Sequence, residues 1–163
     1  MSDIHLEMMV VDIVDKATRS RMMSGIRSSN TKPEVMVRKS LHSLGLRFAR
    51  SSKGLIGRPD LVLPKWRVVI FVHGCFWHRH ECELFKLPSS NTGFWSEKLG
   101  LNAARDERTC ATLVQAGWRV ATVWECATRG RKHDLFFSSS MSQLATWIRS
   151  ETGSSAFNIA RVV

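Results

Sequence analysis

Five consecutive apolar residues, Val68-Val69-Ile70-Phe71-Val72, limit what this chain can fold into more than any other stretch of it. A strand sends alternate side chains to opposite faces, so a run with no polar member needs cover on both. The segment from Trp66 to Val72 is therefore read as a central strand. It leads directly into His73-Gly74-Cys75-Phe76-Trp77-His78-Arg79-His80-Glu81-Cys82, a loop that holds three histidines, two cysteines and an aromatic pair.

The neighbouring segments supply the cover. Thr31-Lys32-Pro33-Glu34 has the form of a capping box with proline in the first turn. It predicts a helix that places Val37, Leu41 and Leu44 on one face and stops at Gly45. Leu46 to Arg50 is a short strand candidate, followed by a turn at Ser51-Ser52-Lys53-Gly54. Asp60 to Leu63 pairs with Trp66 to Val72 through Pro64-Lys65. Residues 94 to 116 predict a long helix with Trp95, Leu99, Ala103, Cys110, Leu113 and Val114 near one side, ended by Gly117. Trp118 to Trp124 is a second buried strand, and Met141, Leu144, Ala145 and Ile148 mark a last helix. Helices and strands in this order predict a three-layer α/β domain with a mixed central sheet. Its expected limits are 15 to 150, with an extension at 1 to 14 and a weakly patterned tail at 151 to 163.

At 163 residues one core suffices. No stretch is long and apolar enough for a membrane span, and acidic residues among positions 1 to 14 argue against a signal peptide. The excess of 24 Lys+Arg over 14 Asp+Glu, +10 in all, is the charge of a protein that neutralises phosphates, although solvated surface charge would give the same sum. Lys16, Arg19, Arg21 and Arg27 form one basic group, and Arg129, Arg131 and Lys132 another. The four cysteines are expected as thiols in a reducing compartment.

Cys75-x4-His80-x-Cys82 offers three ligands suited to tetrahedral Zn²⁺. If the Trp118 to Trp124 strand runs parallel to the central one, Cys126 leaves the sheet at the same edge and completes a Cys₃His site. Four protein ligands close the coordination sphere, so such a zinc is structural. Buried thiols with one surface histidine is the alternative, and Cys110 is read as core. Gly57-Arg58-Pro59-Asp60 puts a carboxylate where a turn enters a buried strand. With a main-chain carbonyl and waters it would suit Mg²⁺. His73 and His78 leave the central strand toward the same place and are the candidate acid and base of phosphodiester hydrolysis. Glu34 is accounted for by its capping box. Phe76, Trp77 and Trp95 stand in or beside polar loops, where they would either fold onto the core or wedge between base pairs.

Together, Lys16-Ala17-Thr18-Arg19-Ser20, Gly57-Arg58-Pro59-Asp60, Val69 through His78, Phe94-Trp95-Ser96-Glu97-Lys98, and Gly117-Trp118-Arg119-Val120 with Val123-Trp124-Glu125-Cys126 resemble the very short patch repair endonucleases. The likeness runs from about Asp15 to residue 150. It implies a restriction-endonuclease-like fold and a Mg²⁺-dependent nick on the 5′ side of the thymine in a T:G mismatch left by deamination of 5-methylcytosine. It further implies that Asp60 and the Val72 carbonyl hold magnesium, that His73 and His78 assist water and leaving group, and that Glu34 supports the site. Cys75, His80, Cys82 and Cys126 would bind zinc. Phe76, Trp77 and Trp95 match the family's intercalating aromatics. The segment carrying Lys16, Arg19, Arg21, Met23 and Arg27 matches its DNA-embracing N-terminal region. A monomer acting on duplex DNA in the bacterial cytoplasm, at the nucleoid, is expected, with mismatch-repair proteins and a repair polymerase as partners.

Three departures stand beside the likeness. Val72 occupies a position where members often carry threonine, Arg79 and Glu81 interrupt a histidine run, and no acid-x-lysine element follows the Pro-Asp turn. A nuclease of the same fold with another target, or a zinc-stabilised DNA-binding module without catalysis, are the competing readings. Asp60, His73 and His78 together favour catalysis, since binding alone requires none of them.

Overall fold

The central strand lies where its composition requires. In a computed structural model describing residues 15–25, 29–50, 54–129, 133–150 and 153–161, β1 (Leu61–Leu63) runs antiparallel to β2 (Val68–His73). On its other edge β2 is parallel to β3 (Arg119–Trp124), in a register that sets His73 beside Trp124. β4 (Ala156–Ile159) adds in parallel to β3, giving the order β1-β2-β3-β4.

Alternation along β2 divides the core in two. Val68 and Ile70 point to the face covered by α2 (Lys32–Ser43) and α4 (His133–Arg149), against Val37, Leu41, Met141, Leu144 and Ile148. Val69 and Phe71 point to the other face, with Leu113 of α3 (Thr92–Gln115) and Val120 of β3. Each such side chain, fully buried, contributes about 1.5–3 kcal/mol relative to exposure. The sheet is mixed and has helices on both faces, as expected.

The helix ends follow their sequence signals. At α2, Thr31 Oγ1 accepts from the Glu34 amide at 3.4 Å, and Glu34 Oε1 accepts from the Thr31 amide at 3.2 Å. After α3, Gly117 takes the left-handed conformation (φ 79°), and the amides of Gly117 and Trp118 bond to the carbonyls of Val114 and Leu113. α1 (Lys16–Ser24) starts just after Asp15, whose carboxylate accepts from the Thr18 amide at 2.8 Å. At the edge of the sheet where β2 and β3 begin, three arginines close three helix C-termini. Arg67 binds the carbonyls of Ala116 and Gly117, Arg119 those of Trp147, Ile148 and Ser150, and Arg149 that of Leu44.

Three elements differ from expectation. Leu46 to Arg50 forms no strand and reaches the sheet by one bridge, Ala49 to Val62. Trp66 belongs to a 3₁₀ turn over Pro64–Trp66, and Arg67 is left-handed (φ 48°), so β2 begins only at Val68. The weakly patterned tail contains β4. The expectations placed on residues 1 to 14, Ser51 to Lys53, Arg27, Arg131 and Lys132 lie outside the described residues. Among the described residues no helix is long and apolar enough to cross a membrane.

Candidate active site and metal centre

Parallel pairing makes β2 and β3 leave the sheet by the same edge, and a cleft of about 530 Å³ opens there. Asp60 enters it from the residue before β1. Its amide donates to the Ile70 carbonyl at 3.0 Å, while its Oδ2 accepts from the Val72 amide at 2.7 Å. Burial, reinforced by nearby Glu34 and opposed by the Val72 amide, pushes the Asp60 carboxyl up to about 6. Glu34 lines the same cleft and is 5 % exposed, so its capping-box carboxylate also serves the wall of the site.

Two histidines form the opposite wall. His73 and His78 stack with ring centroids 3.7 Å apart and planes within 4°. Burial pushes His73 down to about 3, and the neighbouring His78 adds to the shift, so His73 is neutral across the working pH range. His78 Nδ1 lies 2.5 Å from Asp106 Oδ2. In the neutral ring with that nitrogen donating to the carboxylate, Nε2 is the nitrogen that carries the lone pair. Asn102, one turn before Asp106 on α3, donates to the Trp77 carbonyl at 3.1 Å, so α3 grips the loop at two points.

Cys75, His80, Cys82 and Cys126 converge behind this wall, with one donor atom from each inside a 4.8 Å span. Cys75 accepts from the Cys126 amide at 3.3 Å, and Cys126 accepts from the Arg161 amide at 3.4 Å, just past β4. Burial pushes both thiols up. Three sulfurs and an imidazole packed this closely form a donor set that a soft dication neutralises. His80 stacks on Trp124 with centroids 4.2 Å apart.

The aromatic group sits at the rim. Phe76 contacts Trp77 edge to face at 5.0 Å and Trp95 at 5.6 Å, and Trp77 lies 6.2 Å from Trp95. All three are half-buried, and Phe94 beside them is 58 % exposed. The group is thus neither core nor isolated surface residues.

A model of the family described as DNA mismatch endonuclease Vsr matches residues 11–84. The DNA mismatch endonuclease Vsr of Escherichia coli strain K12 is 46 % identical over 145 residues, which cover 89 % of this chain and 92 % of that protein. The chain belongs to the Vsr DNA mismatch endonuclease family. Vsr relatives include a type II nicking enzyme of Xanthomonas oryzae, 49 % identical over 117 residues (72 % of this chain and 86 % of the relative). Another, from Neisseria meningitidis serogroup A, is 43 % identical over 122 residues (75 % and 87 %).

In this Vsr-family chain Glu34, Asp60, Val72, His73 and His78 line one cleft, the four metal-ligand candidates form one cluster, and the three aromatics form one group. Of the basic N-terminal candidates, Arg21 lies on α1 and bonds Thr18 Oγ1 at 3.2 Å. The side chains of Lys16, Arg19 and Met23, and all of Arg27, lie outside the described residues. Cys110 is half-buried: it packs on the α3 core and also lines the cleft. Sequence reasoning missed Asp106. Its signal was a polar interruption of a helical stripe, Leu99, Asn102, Asp106, Thr109 and Leu113, in which the ends face the core and the middle faces the loop.

Proposed function

We propose that this chain is a mismatch-specific DNA endonuclease that nicks one strand, on the 5′ side of the thymine in a T:G mismatch produced by deamination of 5-methylcytosine. The observation that carries this reading is the convergence of Glu34, Asp60, His73, His78 and Asp106 in one cleft whose rim bears Phe76, Trp77 and Trp95. The naming of the Escherichia coli relative as a mismatch endonuclease, and of others as nicking enzymes, supports it. A restriction-endonuclease-like architecture that begins near residue 15 and takes in β4 from the expected tail agrees with a mixed sheet flanked by helices.

Mg²⁺ would be held by Asp60 and the Val72 carbonyl, which leaves the strand by the same edge as the amide bonded to Asp60, and would supply Lewis-acid stabilisation of the phosphoryl oxygens. Because only main-chain atoms of Val72 are used, a valine there in place of threonine is tolerated. Asp106 orients His78 so that Nε2 faces the cleft, where it takes the proton of the attacking water or returns one to the leaving oxygen. His73, neutral, donates or accepts a hydrogen bond at the phosphate and keeps His78 flat against it. Together they replace the lysine of the missing acid-x-lysine element.

Zn²⁺ held by Cys75, His80, Cys82 and Cys126 is structural in this reading and ties the catalytic loop to the end of β3. Phe76, Trp77 and Trp95 insert beside the mismatch, where unstacking costs least. The nick leaves an end for a repair polymerase, in the cytoplasm where chromosomal DNA lies. The test is incubation with Mg²⁺ and end-labelled duplexes. A single cut 5′ of T in the T:G duplex, with matched DNA intact, is expected; cleavage of both strands, or of none, refutes the reading.

A further inference from the structure

Arg58 occupies a backbone conformation that an arginine does not adopt without support. Its φ is 50°, in the left-handed region, and it precedes Pro59, which ordinarily holds the residue before it in extended backbone. Its neighbours enforce the geometry. Gly57, also left-handed, packs so tightly on α3 that a Cβ there would stand 2.1 Å from Thr109 Cγ2. Pro59 is buried, and Asp60 is bonded to β2. Glycine or asparagine would suit position 58 better, so the turn alone does not explain an arginine.

The side chain has a use in the cleft. Arg58 is exposed and lines it together with Glu34, Asp60, Asp106 and Glu125, four acids that repel a phosphodiester. The other arginine in the lining, Arg105, lies 3.4 Å from Asp106 Oδ1. Among the described residues Arg58 has no ion pair. A guanidinium is planar and always charged, and its paired donors match phosphate oxygens.

Resting on the endonuclease reading above, we infer that Arg58 is a DNA-binding residue of the active site. Its strained backbone aims a guanidinium at one phosphate of the cleaved strand next to the scissile bond. Strain of this kind concentrates where a side chain must be held in one place.

The decisive variant is Arg58→Gly, which relaxes the backbone while removing the contact. Its Tm should rise by about 3 °C while kcat/KM on a T:G duplex falls about ten- to a hundredfold. The substrate then locates the contact. Duplexes carrying one neutral methylphosphonate at each position flanking the cut are compared, and at one position parent and variant should nick at the same reduced rate. Undiminished nicking by Arg58→Gly, or the same fold-loss at every methylphosphonate position, overturns the contact. If the parent nicks no duplex, the endonuclease reading falls instead. Arg58 is then judged by fluorescence anisotropy on the T:G duplex: about tenfold weaker binding by Arg58→Gly upholds the contact and equal binding overturns it.

Discussion

At the scale of single residues, the site is built from groups held away from their comfortable states. Asp60 ionises near 6 because burial disfavours its charge, whereas the unfolded chain leaves it near 3.8. Above pH 6 the carboxylate is charged in both states, and the native state bears a cost of about 2–3 kcal/mol. That cost fades as pH falls from 6 toward 3.8, below which both states are protonated. Asp60→Asn should therefore stabilise the protein by about 2 kcal/mol at pH 7.5 in Mg²⁺-free buffer, with the gain vanishing near pH 4, and should abolish nicking while sparing mismatch binding. Thermal melts across this pH range check the first part and a labelled-duplex assay the second; undiminished nicking removes Asp60 from the mechanism. Asp106→Asn addresses the other wall. It leaves the shape of the site but gives His78 a neutral partner, and the rate should fall about 10²-fold or more with little change in KM. A change confined to KM would make Asp106 a substrate contact rather than the orienter of His78.

At the scale of elements, the parallel β2–β3 pair organises everything else, since it delivers the His73-to-Cys82 loop and Cys126 to one edge. Cys126→Ser should release the Zn²⁺ proposed for the cluster and lower Tm by roughly 10 °C, because the cluster ties that loop, the end of β3 and the residues past β4 together. Metal analysis of the purified variant decides it: full metal content would mean that Cys126 is no ligand. The elements also show what the sequence revealed and what it withheld. The unbroken apolar run Val68 to Val72 announced β2, the largely apolar Trp118 to Trp124 announced β3, and the Thr31-to-Glu34 cap announced α2, because burial and capping are written in neighbouring residues. β4 was hidden because its alternation, with Ala156 and Asn158 exposed and Phe157 and Ile159 turned inward, spans only four residues, too few to stand out from a loop. Asp106 was hidden for a different reason. Its partner His78 is 28 residues away, so its role exists only once α3 lies across the loop.

At the scale of the whole molecule, two free energies have to be separated: attraction to any DNA and preference for a mismatch. The +10 charge serves the first, by displacing counterions from phosphates whatever the bases. In the proposed reading the aromatic group serves the second, because rings set between stacked bases must part them and that work depends on how well those bases pair. The two should respond differently to salt. Raising it from 50 to 200 mM should weaken binding to matched and T:G duplexes alike, by about 10³-fold or more if six or so phosphates are neutralised. The ratio of the two affinities should stay within roughly threefold, because apolar insertion releases few ions. Trp77→Ala should do the reverse. It should leave the salt slope as it was and bring the ratio toward one, since no charge is removed and the wedge is shortened. Binding titrations of both proteins on both duplexes at four salt concentrations measure slope and ratio together. If Trp77→Ala keeps the parent's ratio, discrimination resides elsewhere in the cleft and the aromatic rim is only a platform for the backbone.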